Sequence, residues 1–235
     1  QMLPAPVSDA SAEQMETPVF HGSLELSESS SWNEVQLYGV HSFTIDGGDP
    51  QPEGPVMTTH TTGGGFYHDG RYYCLSGISS QALGVKNTWV TYDAETWELL
   101  GSRYHEAPTL TDSQALAYDY ISGKAYASGL NYDDPNTPYQ LRTVDLETGE
   151  MTNVGTLAKS FPAMAFDSEG QLWGISREPE FPYTANLYKI DKNTGATTLA
   201  GPLGYNQRSI YAGACFDHHS GKLYWTARTM TYNNY

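Results

Sequence analysis

The chain repeats one phrase. "AFDSEGQLWGIS" at 165–176 has counterparts in "AYDYISGKAYAS" upstream and "CFDHHSGKLYWTA" downstream. Aligned on the turn glycine, Gly70, Gly123, Gly170 and Gly221 stand 53, 47 and 51 residues apart. An aromatic and an acid precede three of these glycines (Tyr118-Asp119, Phe166-Asp167, Phe216-Asp217), and an aromatic-bearing strand follows all four. A second phrase interleaves with the first, in "TWVTYDAETWELLGS", "QLRTVDLETGEMTNVG" and "NLYKIDKNTGATTLAG", where Asp93, Asp145 and Asp191 are 52 and 46 residues apart. Aspartate and glycine have separate tasks in such a turn: the carboxylate bonds backbone N–H groups and glycine takes the positive φ.

Each phrase is a hairpin, so one unit of about fifty residues holds four antiparallel strands. That period and strand count predict an all-β chain built as a β-propeller of four-stranded antiparallel blades, as a whole or partial ring. Units start near 63, 114, 162 and 210, and the last lacks its second hairpin. Residues 1–16 read as a flexible N-terminal segment, 17–62 as a leader and 63–235 as blades. Two strand-like stretches in the leader, "TPVFHGSLELSE" and "VQLYGVHSFTID", could complete the fourth blade, because a propeller removes its open edges by closing on itself. The unit count favours a longer ring, with this chain as part of it.

The repeat resembles those of bacterial secreted β-propellers, whose blades carry A-F-D-x-x-G-x-L-Y followed by L-Y-x-I-D-x-x-T-G, and it is loosely similar to YWTD- and NHL-type propellers. "KLYWTA" at 222–227 resembles the YWTD strand, with Ala227 where that family places its acid. The resemblance covers 63–235 and implies the fold, not a function. "AFDSEGQLW" also approaches the sialidase Asp-box, but Ala165 stands where the box has Ser and Asp167 precedes Gly170 by three positions rather than two. Such a box is a structural turn even when complete, so sialidase chemistry is not expected.

Composition narrows the partners. Twelve basic against 27 acidic residues leave a net charge of −15, a field that repels phosphate backbones and anionic membrane surfaces. Neither nucleic acid nor membrane insertion is expected; no apolar run approaches a membrane span. The Pro/Ser/Ala/Glu-rich opening resembles the start of a mature exported protein, which places the chain in the secreted, periplasmic or cell-surface class. Cys74 and Cys215 are too few for a disulfide framework and read as buried small hydrophobes, with a bridge between them as the alternative.

No nucleophile elbow, zinc helix, P-loop or calcium D-x-D-x-D-G loop is present. His218 and His219 in "FDHHSGK" read as exposed turn residues that splay apart; His60 and His68 flank a Gly-rich inner strand. Gly64, Ala115, Ala163 and Gly213 on the innermost strands predict close packing near the axis, and Trp89, Trp97, Trp173 and Trp225 predict filling between blades. Two long inserts occupy equivalent places on neighbouring blades, "GLNYDDPNTPYQ" (129–140) and "REPEFPYTAN" (177–186). Their aromatics Tyr132, Tyr139, Phe181 and Tyr183 are the candidate ligand-binding residues, suited to a sugar ring or a peptide. Asn131, Asp133 and Asp134, with Asn136, offer the hard oxygen ligands that Ca²⁺ takes; no other cofactor is indicated. The expectation is a non-catalytic recognition or scaffold module for a protein or glycan. The alternative is a propeller hydrolase, lyase or lactonase with a divalent metal in the central channel.

Overall fold

A computed structural model describes residues 19–26, 37–45, 50–53, 62–76, 88–104, 113–130, 134, 136, 139–178 and 183–229. The first blade is β4 (Thr62–His68), β5 (Arg71–Ser76), β6 (Thr88–Asp93) and β7 (Leu99–Tyr104), paired antiparallel in that order; the N-terminal strands before it are β1 (Val19–Leu26), β2 (Leu37–Thr44) and β3 (Gln51–Pro52). The second blade is β8 (Ser113–Asp119), β9 (Lys124–Leu130), β10 (Tyr139–Val144) and β11 (Met151–Thr156). The third is β12 (Ala163–Phe166), β13 (Leu172–Arg177), β14 (Thr184–Ile190) and the first part of β15 (Thr197–Asp217). The second part of β15 pairs with β16 (Lys222–Thr229) to begin the fourth. These sheets are arranged as the four blades of a β-propeller.

One turn chemistry sets these hairpins. Asp93, Asp145 and Asp191 each accept an amide two residues on through a side-chain oxygen, at 2.9, 3.0 and 2.8 Å. Each backbone carbonyl accepts the amide four residues on, at 2.8 Å. Asp119 and Asp217 repeat the device on the inner hairpins. The residue closing the turn is left-handed, with φ of 69–77° at Gly123, Gly149, Gly195 and Gly221. In the first blade that place belongs to Trp97 (φ 59°). A bulky residue rarely adopts this conformation; here the indole is buried edge-on to Tyr72 and stacked on His21, and its burial offsets the strain.

A blade cannot bury either apolar face alone, so each face is covered by its neighbour. Phe66, Tyr73 and Trp89 of the first blade pack on Leu116, Tyr118 and Val144 of the second. The opposite side of the second blade, with Tyr126 and Leu141, meets Met164, Phe166 and Tyr188 of the third. Ala163, Ile175 and Ala185 of the third pack against Leu223 and Trp225 of the fourth. The remaining face, Tyr72, Cys74, Val90, Tyr92 and Trp97, is covered by Val40 of β2. Phe20 of β1 meets Tyr224 of β16 edge-on at 4.8 Å. The N-terminal sheet therefore packs on the first blade and also touches the fourth.

Two local expectations need correction. Trp173 does not fill a blade interface: it is half-buried, its indole N–H donates to Asp167 at 2.8 Å and Lys189 lies 5.2 Å over its ring. The cysteines are both free, and only Cys74 is buried; Cys215 is exposed. Burial pushes the Cys74 thiol up to about 12, which keeps it protonated and inert.

The small residues expected at the axis do pack closely. A Cβ on Gly64 (φ 119°) would sit 2.9 Å from the Leu116 amide nitrogen, whereas one on Gly221 (φ 69°) would meet nothing within 4 Å. Gly221→Ala should therefore cost only the left-handed backbone penalty, about 1 kcal/mol. Gly64→Ala adds a clash between two inner strands and should cost ~3 kcal/mol in urea unfolding. Equal losses at the two sites would contradict the close approach of the first two blades.

Candidate functional site

The β9–β10 and β13–β14 connections leave the ring at the same end, on adjacent blades, as the antiparallel pairing requires. Asn131, Tyr132, Asp133 and Phe181 lie outside the described residues, as does His60. Asp134 takes the backbone amide and the side-chain N–H of Asn136 on one carboxylate oxygen, at 2.8 and 3.1 Å, a local turn of the kind aspartate commonly forms. Among the described residues no three His, Cys, Asp or Glu side chains are grouped to hold a metal. Tyr139 is half-buried against the core between the second and third blades. Tyr183 stands at the return of the second loop into β14, half-buried and with φ 58°. A non-glycine residue held there marks a backbone constrained by its surroundings.

The foot of this second loop is a polar network that sequence reasoning missed. One oxygen of Glu178 accepts from the Ser176 hydroxyl and Asn186 amide at 3.0 Å and from the Tyr188 hydroxyl at 3.3 Å. The other accepts from Lys159 at 2.5 Å. Partial burial pushes the Glu178 carboxyl upward, but the bonds from Lys159, Asn186 and Ser176 outweigh it and hold the group below the usual carboxylate range. The same pair raises Lys159 above the usual lysine value, chiefly through its bond to Glu178. Lys159 lies on the connection from β11 to β12, so the pair ties that crossing to the loop. The one local signal was Ser176 and Glu178 two residues apart, on one side of an extended chain. At the foot of the first loop the buried Arg142 donates to the Leu130 carbonyl (3.2 Å) and the Gln140 side chain (2.9 Å).

The other end of the ring, where the Asp turns gather, is bridged across its axis. The Tyr118 hydroxyl and His68 Nε2 share a hydrogen bond of 3.2 Å between the second and first blades. Tyr120 donates to the Tyr67 carbonyl at 2.5 Å, and its ring meets His218 of the fourth blade edge-on at 5.2 Å. His218 Nε2 in turn lies 3.0 Å from the Phe166 carbonyl of the third. All four blades thus contribute to one contact chain. His218 and His219 are exposed turn residues, as expected.

An ion pair joins the turns of the second and third blades. The enclosed Asp119 carboxylate takes Lys192 at 2.6 Å, the Ser122 hydroxyl at 2.6 Å and the Ile121 amide at 2.9 Å. Enclosure pushes the Asp119 carboxyl up, yet the bonds from Lys192, Ser122 and Ile121 prevail and hold it below the ordinary range.

With this geometry in view, the chain compares with known structures as follows. Nidogen, solved in a nidogen/laminin complex, superposes with a TM-score of 0.56 at 10% identity over 80% of this chain and 66% of that one. A gluconolactonase from Xanthomonas campestris gives 0.50 at 12% identity over 82% and 65%. The likeness is one of fold. This chain spans just under two thirds of the length of each. No protein-family model and no curated protein sequence matches it. Among the described residues no helix is long and apolar enough to cross a membrane.

The Asp119 pair has a pH signature. Its carboxyl is held lower in the folded chain than in the unfolded one, so the stabilisation is complete above the unfolded value of about 4 and is lost as pH falls through the folded one. Acid titration of the unfolding free energy should show this loss below about pH 4. Asp119→Asn should flatten that slope and cost about 3 kcal/mol at neutral pH, near the low end for breaking a buried pair because Lys192 keeps some access to water. An unchanged acid slope in the variant would contradict the pairing.

Proposed function

We propose that this protein is an exported, non-catalytic recognition or scaffold propeller that binds a protein or glycan through the loops at one end of its ring. The observation that carries the reading is that the feet of two long, aromatic-bearing connections stand on adjacent blades at one end and are held by polar networks. Glu178 and its four partners hold one foot, and Arg142 with Gln140 holds the other. Loops presented by a rigid scaffold are where binding residues concentrate, and a fixed foot reduces the entropy lost when a partner is engaged.

The titratable groups described near the axis have structural partners. His68 bonds Tyr118, His218 bonds a backbone carbonyl, and Asp119 bonds a lysine and its own turn. The neighbours support either use of the scaffold, since one forms a complex with laminin and the other is a gluconolactonase. The loop feet favour recognition.

Glycan and peptide arrays on the purified protein are the first screen, with elemental analysis beside them. Tyr132→Ala combined with Tyr183→Gly should abolish capture of any ligand found while leaving the thermal midpoint within a few degrees, since glycine relieves the positive φ at 183. Full binding by the double variant would refute the loop assignment. A stoichiometric divalent ion accompanied by lactone or ester turnover would replace the proposal with the enzyme reading.

A further inference from the structure

The end of the ring opposite the long loops also presents a surface. Around the axis there, Tyr67, Tyr120 and Ile121 are 54%, 49% and 67% exposed. These positions are held by the fold. The Tyr67 hydroxyl accepts the Gly70 amide at 3.2 Å, Tyr120 is pinned to the Tyr67 carbonyl and His218, and the Ile121 amide is fixed by Asp119. Apolar surface carried on rigid turns loses little entropy when it is covered, and Tyr presents a large face at the cost of few torsions.

The charge around the patch is predominantly negative. The seven described turns of this end (67–71, 93–98, 119–124, 145–150, 167–171, 191–196 and 217–222) hold twelve Asp and Glu against four Lys and Arg. One of the four, Lys192, is already engaged by Asp119. Asp69 is exposed in the same short turn as Tyr67.

We propose that this turn face is a second docking surface, fitted to a basic segment of a partner protein. The guanidinium or ammonium groups of the segment would lie over the phenol faces of Tyr67 and Tyr120, their aliphatic stems over Ile121, and the surrounding carboxylates would supply the field. Phosphate backbones and anionic lipids are repelled by the same field. The surface is independent of the loop end, so either assignment can fail without the other.

The test is anisotropy of a labelled nine-residue oligoarginine peptide on the whole chain, with an oligoglutamate peptide as control. Ile121→Lys and Tyr67→Lys are compared with Asn153→Lys, which adds the same charge at an exposed position on β11. Circular dichroism checks that each variant is folded. The oligoarginine should bind the wild type in about 50 mM salt and weaken severalfold in about 300 mM, whereas oligoglutamate should not bind. Either axial substitution should weaken binding about tenfold, and Asn153→Lys less than about twofold. Three results would overturn the proposal: no binding at low salt, equal losses at 121 and 153, or a dimer in sedimentation that Ile121→Lys dissolves. The second would mean a diffuse field, and the third that the face binds a second copy of the chain.

Discussion

Everything in this molecule depends on a constraint of flat sheets: a four-stranded blade has two apolar faces and can bury neither by itself. The ring is the solution, and each interface holds a cluster of large side chains drawn from two neighbours. Trp89 lies against Leu116 and Tyr118, Phe161 beside Tyr188, and Trp225 against Ile175 and Ala185. The fourth interface is the telling one. Cys74, Val90 and Trp97 of the first blade are buried in one cluster with Val40 of the N-terminal sheet. Buried aliphatic and aromatic groups each contribute about 1.5–3 kcal/mol, so leaving that face open would remove a large part of a typical domain stability.

Polar interactions then fix the register that packing leaves loose. The Asp turns are local: each carboxylate satisfies amides of its own hairpin, and so the same few residues recur in every blade. The inter-blade bonds are particular. Asp119 to Lys192, Tyr118 to His68 and His218 to the Phe166 carbonyl each occur once and join different pairs of blades. The repeat builds the blades, and these single contacts orient one blade on the next.

This division explains what was legible in the sequence. The strands, the turns and the four-strand period could be read because Asp, Gly and alternation act over five or six residues. Close packing at Gly64 was legible for the same reason, as a missing side chain in an inner strand. Three features were not. Trp97 stands where the pattern asks for glycine, and only its burial against Tyr72 and His21 explains it. Glu178 gathers partners from residues 159, 176, 186 and 188, which come together only after β13 and β14 pair and the connection carrying Lys159 crosses over them. The role given to Trp173 also differed, because its contact with Asp167 depends on the shape of a turn and not on alternation. The place of the N-terminal sheet was also hard to read, since Val40 packs on the first blade while Phe20 meets Tyr224 near the other end of the described chain.

Through Val40 and Phe20, β1 and β2 are packed into the ring. Native-state hydrogen exchange measures this packing most directly. Amides of β1 and β2 in the Val19–Thr44 pairing should open with nearly the same free energy as those of β4 and β5, in one cooperative unit. Exchange of β1 and β2 at the rate of an unstructured peptide, with β4 and β5 still protected, would contradict it and leave the face around Cys74 and Trp97 without its cover.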